Sequence, residues 1–208
     1  MIIYVPEDIM TRLENQLQKT PEQIPHVLRK TINDTAKSTR REVTAQAREA
    51  YTVKTGNFNK AMMIENATQR YPQATIHTEG NPLALYGFKR RSNSGKTGAK
   101  AQVIKQGSLK SLTLEGGSDK GKDLKAFIQK VKNKNGSSHV GIFRRMTSSE
   151  RQKSGSKEEN AIKQFYSLSV PQMLGNEQKV YSEVQPFIVE ELRKNLEKHI
   201  AKVMEGMK

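Results

Sequence analysis

The chain has no cysteine, which removes disulfides, thiolate zinc sites and cysteine nucleophiles from consideration together. It has no tryptophan and only six tyrosines and six phenylalanines, so large aromatic anchors are scarce. Apolar residues make up 34% of the sequence, a low share for a globular domain even with glycine counted, so a core forms only if part of the chain stays out of it. No window approaches the ~20 apolar residues of a membrane span. The first ten residues, MIIYVPEDIM, lack the basic start and long apolar run of a secretory signal. The expectation is a soluble protein that works in a cytoplasm or in something assembled there.

Catalytic constellations are equally scarce. His26, His77, His139 and His199 are far apart, with no metal-binding spacing, and each is expected to be a surface or satisfied histidine. Glu158-Glu159 and Glu190-Glu191 are adjacent acids, and adjacent residues on a helix do not face each other. No serine has a nucleophile-elbow context. Gly95-Lys96-Thr97 resembles the end of a phosphate-binding loop, but Arg90 stands where that loop needs its first glycine. We therefore expect no enzyme, no catalytic or cofactor-binding residue and no metal.

What the chain does have is positive charge, +15 over 208 residues, placed very unevenly. Between Lys89 and Lys157, eighteen Lys or Arg residues stand against four acids, Glu115, Asp119, Asp123 and Glu150. Such asymmetry favours a polyanionic neighbour, with nucleic acid the commonest. Only Phe127 and Phe143 interleave with those charges, which disfavours base stacking on single strands. Attraction to phosphates needs no aromatics. A solvated solubilising surface and contact with acidic proteins are the competing explanations.

Along the chain, Ile2-Ile3-Tyr4-Val5 is β-prone and ends at Pro6, where a helix with the stripe Ile9, Leu13, Leu17 begins. Thr20-Pro21-Glu22-Gln23 has the form of a capping box. After it, apolar and small residues from Ile24 to Ala50 keep helical spacing. A shorter helix is expected over Phe58, Met62, Met63 and Ala67. Strands are expected over 73–79, 83–88, 101–105, 109–114, 124–131 and 139–145, with 125–145 a hairpin whose tip is basic. Residues 89–100 and 147–160 are expected to be mobile loops. From Val180 to Met207 the apolar residues return to helical spacing, with a kink or fresh start at Pro186.

The fold class expected is α+β: a long N-terminal and a C-terminal helix packed on a small, largely antiparallel sheet with basic loops. The whole chain, 1–208, is expected to be a single domain. Within it, 1–68 is helical, 73–145 basic and β-rich, 165–176 a distinct apolar segment, and 177–208 the C-terminal helix.

That segment, FYSLSVPQMLGN, hands an extended apolar run (Phe165, Tyr166, Leu168, Val170) to a helix start. Pro171 biases Val170 towards an extended backbone, and Asn176 can cap the next helix. Tyr166 with Ser169, Val170, Pro171, Gln172 and Met173 resembles the signature near the C-terminus of the phage minor tail protein Z family. Ser167-Leu168 stand where that family often has Gly-Pro. The resemblance implies a structural bacteriophage or prophage virion protein that completes the tail at or near the head–tail junction. It further implies tail or head–tail connector partners, a homo-oligomer in which a ring is expected, and residence in the virion after assembly in the host cytoplasm. Under it, the six matched residues are expected to fix how the C-terminal helix leaves the core, with direct contact to a partner as the alternative. Lys89, Arg90, Arg91, Lys132, Lys134, Arg144 and Arg145 would face phage DNA, without sequence specificity, or an acidic partner; no membrane is involved. The alternative is a general basic nucleic-acid-binding protein.

Overall fold

The computed structural model describes residues 1–91, 98–118, 120–133 and 135–206. Over them the chain is a mixed α+β fold with two long helices and small antiparallel sheets. In place of one sheet there are three, each of three strands. The chain also divides into two compact units. Unit 1 is Met1–Ala47, Thr55–Gly80 and Val170–Lys208; unit 2 is Arg48–Lys54 and Asn81–Ser169.

Unit 1 is organised by α2 (Ile24–Ala50), whose last residues count with unit 2. Its buried stripe includes Val27, Leu28, Ile32, Ala36, Val43 and Ala47, the positions the helical spacing marks. Burying each Val, Leu or Ile of that kind contributes roughly 1.5–3 kcal/mol. The expected capping box at Thr20 does not form: Thr20 makes no side-chain cap, and Pro21–Gln23 is a single 3-10 turn leading into the helix. Ahead of it lie β1 (Ile2–Tyr4) and α1 (Glu7–Gln16), where Glu7 and Asp8 face the positive end of the helix dipole.

The shorter helix is a correction. It runs only over Thr55–Ala61 (α3) and gives way to β2 (Met62–Glu65). The apolar residues Met62 and Met63 were compatible with either state, and pairing decided between them. Central strand β3 (Gln73–Thr78) takes β2 in antiparallel register, Met62 opposite Thr78, and takes β1 on its other side, Ile3 opposite Ala74. Met62, Ile3, Ala74 and Ile76 are all buried.

The C-terminal stretch opens with a π turn at Glu177–Tyr181, and Asn176 caps it by accepting from the Lys179 backbone N–H at 3.0 Å. A fresh start was one form of the break expected at Pro186, and the helix proper begins four residues earlier. Helix α6 then runs from Ser182 to Glu205 with Pro186 inside it. It docks on α2 through polar as well as apolar contacts: Asn195 donates to Thr35 Oγ1 at 3.1 Å, and Ser38 donates to Glu191 at 2.9 Å.

Unit 2 is β-rich. Strands β4 (Lys89–Arg91), β5 (Lys100–Gln102) and β6 (Lys110–Ser111) form one sheet. A second sheet is made by β7 (Phe127–Lys132), β8 (Ser138–Arg145) and β9 (Ile162–Gln164). The hairpin expected over 125–145 is present as β7–β8, with Lys132 opposite Ser138 at its tip. Five other expectations are corrected. Residues 83–88 are not a strand but a 3-10 turn at Leu85–Gly87, with an isolated bridge between Ala84 and Tyr166 ahead of it. The strands expected over 101–105 and 109–114 shrink to two or three residues. The loop expected over 89–100 begins and ends as paired strands, while 92–97, with the Gly95-Lys96-Thr97 sequence, lie outside the described residues. The loose stretch over 147–160 contains α4 (Ser148–Ser154).

The core of unit 2 is thin, with Tyr51, Leu85, Phe88, Ile142 and Phe143 its large buried side chains among the described residues. Buried Gln102 compensates locally. Its amide nitrogen donates to the carbonyls of Ile104, Lys105 and Gly107 at 3.0, 2.8 and 2.6 Å, pinning a loop that has no apolar anchor.

Candidate functional site

Two groups of residues bear on function: the 165–176 segment and the cations of unit 2. In the segment, Phe165 to Leu168 run extended beside residues 83–85. The Ser167 N–H donates to the Leu83 carbonyl at 2.8 Å, and the Leu85 N–H donates to Phe165 at 3.0 Å. Tyr166 is 57% exposed and donates its hydroxyl to Gln164 at 3.1 Å. Ser169, the last residue of unit 2, is buried.

Val170, the first residue of unit 1's final segment, was expected to be extended. It opens helix α5 (Val170–Leu174) instead. Proline restricts the residue before it to a preference, not an absolute, and Pro171 at the second position of a helix has no N–H that needs a partner. Val170, Met173 and Leu174 are core residues, and Gln172 is exposed. Pro171 and Leu174 border a cavity of about 260 Å³ with Val43, Met62, Ile76 and Tyr181. Three of the six motif residues, Ser169, Val170 and Met173, are thus buried.

The cations fall on both sheets of unit 2. Lys89, Arg90 and Arg91 are β4, all exposed. Lys132 ends β7 and is exposed; Lys134 lies outside the described residues. Arg144 and Arg145 end β8, and their environments differ. Arg145 is exposed and donates to the Asn160 side chain at 2.5 Å. Arg144, only 12% exposed at its side chain, is turned inward onto Glu150, with both nitrogens donating to the carboxylate at 2.7 Å.

Glu150 is the residue that reading the sequence missed. It receives Arg144 and also Lys163 at 2.9 Å. It closes a capping box on α4, in which Thr147 Oγ1 accepts from the Glu150 N–H while Glu150 accepts from the Thr147 N–H. Its hydrogen bonds with Arg144, joined by those with Lys163 and Thr147, outweigh burial and hold its carboxyl far below the usual carboxylate range. The signal was legible: Thr147-Ser148-Ser149-Glu150 is a Thr-x-x-Glu capping box.

Arg144 and Lys163 stand directly opposite each other across β8–β9. Like charges so placed destabilise a sheet, and the Glu150 carboxylate between them removes that cost. The same arrangement recurs on the other sheet, where Arg91 is opposite Lys100 and Lys100 opposite Ser111. There, among the described residues, no carboxylate is paired with either cation.

In unit 1 the polar residue of interest is His199, which is buried. Its Nε2 lies 3.0 Å from Asp34 Oδ2; a carboxylate only accepts, so the imidazole donates. Burial lowers the pKa of His199 against the opposing pull of Asp34. Burial would raise that of Asp34, but its hydrogen bond and charge interaction with His199, and then Lys37 and Lys198, bring it below its ordinary value. His199 borders a groove of about 430 Å³ with His26, Lys30 and Lys202. No group of three or more metal-ligating side chains occurs among the described residues, and no helix among them is long and apolar enough to cross a membrane.

Compared with protein-family models, with curated proteins and with solved structures, the chain matches none.

Proposed function

We propose that this chain is a non-enzymatic structural component of a bacteriophage or prophage virion, acting in tail completion at or near the head–tail junction. The observation that carries the reading is the Tyr166, Ser169–Met173 signature, half of which is buried. The near-neutral helical unit supplies rigid packing surfaces. The basic unit faces DNA or acidic neighbours, and its short strands leave much of its surface free to adapt on assembly. Its partners are other tail or connector proteins and further copies of itself, arranged as a ring by analogy with other symmetric junctions.

A second reading, a general basic nucleic-acid-binding protein, is favoured by one feature: the exposed cations of β4. Salt separates the two. If DNA binding is the main function, binding is tight and falls steeply with salt. If the protein is a tail component, DNA binding is weak and association with virion proteins is specific.

The decisive experiment is electron microscopy of lysates from a phage or prophage lacking this gene. Filled heads lying apart from full-length tails, cured by the gene in trans, is the expected result. Absent or misshapen tails would move the role to tail building. Normal joined particles would overturn the virion reading.

A further inference from the structure

We propose that the β4–β5–β6 sheet is a docking surface for the phosphodiester backbone of duplex DNA. Arg91, Lys100 and Ser111 form its oxyanion row, with Lys89 beside them. The inference deepens the proposal that unit 2 faces DNA, and rests on it.

The eight residues of the three strands, Lys-Arg-Arg, Lys-Ala-Gln and Lys-Ser, include five cations, no acid and no aromatic. Antiparallel pairing puts Arg91 opposite Lys100 and Lys100 opposite Ser111. Directly opposed residues share a face, so two cations and a hydroxyl form one row across the sheet. Lys89, two residues from Arg91, lies on the same face. Arg91, Lys89 and Ser111 are exposed and Lys100 is partly so. Neighbouring strands are about 4.8 Å apart, so the row spans roughly 10 Å, and a duplex of that length presents several phosphates.

The β8–β9 pair shows what such a row lacks. Arg144 and Lys163 are opposed in the same way, and the protein places the Glu150 carboxylate within 2.9 Å of both. For Arg91 and Lys100 no described residue plays that part, and in the proposal an anion from outside the chain does.

Two features narrow the anion to a duplex backbone. Single strands are held by bases stacked on aromatic rings; of the two rings just ahead of β4, Phe88 is buried and Tyr86 is covered by the Arg90 guanidinium at 3.7 Å. Protein interfaces have an apolar centre, and the only apolar residue in these strands, Ala101, is buried. A surface of exposed cations and a hydroxyl without apolar or aromatic contacts binds phosphates irrespective of sequence.

The test is fluorescence anisotropy of a short random-sequence duplex with the full chain, titrated at several salt concentrations. Each phosphate contact contributes about 0.9 to the slope of log affinity against log salt. The double variant Arg91→Gln/Lys100→Gln is therefore expected to weaken binding and flatten the slope by about 1.8. Removing the same charge from unit 1, with Lys19→Gln/Lys60→Gln, should leave the slope unchanged, and Arg91→Lys should retain it. Without DNA, the Arg91→Gln/Lys100→Gln protein should melt no lower than the parent, because a repulsive pair is gone.

Equal flattening by the two double variants, or by neither, would overturn the assignment of the sheet. So would tighter binding of the single strand than of the duplex. Binding of a polyglutamate peptide, but not of duplex, that is lost in the sheet variant would instead make the surface an acidic-protein site. Normal joined particles in the gene-deletion lysate would remove the virion reading while leaving duplex binding by the sheet measurable, so the two failures are separable.

Discussion

The two units of this chain differ in where their charge goes and in what holds them together. Unit 1 has 15 Lys or Arg residues against 14 Asp or Glu; unit 2 has 21 against 7. Of the buried hydrophobic residues among those described, 23 belong to unit 1 and 9 to unit 2. Unit 1 is therefore stabilised mainly by apolar burial under two long helices. Unit 2 substitutes polar devices for a core: the Gln102 amide over its loop, the Glu150 carboxylate between two cations, and short paired strands. The lesson is that a strongly basic surface and a large core are kept in separate stretches of one chain, because self-repulsion works against compactness.

The largest test of that contrast is in the core of unit 1. Met173→Ala, at a residue 0% exposed, is expected to cost about 3 kcal/mol, measured by chemical denaturation. Hydrogen exchange should then accelerate among unit 1 amides. A cost below about 1 kcal/mol would mean that the motif helix is not part of the core that holds the unit together.

Next in size, Glu150→Gln should destabilise unit 2 by roughly 2 kcal/mol, since it loses charge-assisted hydrogen bonds and leaves Arg144 and Lys163 facing each other. Thermal melts should show the loss shrinking as salt is added. An unchanged melt would show that unit 2 does not depend on this clamp.

Smaller still is the difference in acid response. His199 is held below its ordinary value of about 6.5, so the unfolded chain binds its proton first. Its contribution to stability is complete above that pH and is lost as pH falls below it. Asp34, also lowered, acts in the same direction but nearer the carboxylate range. Glu150 keeps its contribution until pH falls below about 4.5, where the unfolded carboxyl protonates. Hydrogen exchange at about pH 5 should therefore show unit 1 weakened and unit 2 intact relative to neutral pH. His199→Gln should remove most of that difference, and equal weakening of both units would contradict it.

Legibility depended on the strength of the local pattern. Helix α2 was readable because its apolar spacing persists for over two dozen residues, and Asn176 as a cap because its side-chain chemistry is local. The β7–β8 hairpin was marked by turn residues between alternating runs. Met62–Glu65 was not legible as a strand, since two methionines fit a helix face as well as a sheet face until β3 is there to pair with. Residues 83–88 look like a strand, but only 83–85 pair, with the extended 165–168 run, before the chain turns at Leu85–Gly87. The division of charge was plain in the sequence, yet not which cations are free. Arg144 and Arg91 read alike, and only the Glu150 beside the first distinguishes them.

By itself the sequence determined the helical stripes, the charge segregation and the absence of cysteine chemistry, all of which depend on composition or on neighbours within one or two turns. The tertiary structure alone decided the partition into two units, the three-sheet arrangement, the burial of the motif and the two opposed cation pairs. Those depend on strand register and on contacts between residues remote in sequence, and no local spacing encodes which of several compatible partners a segment will meet.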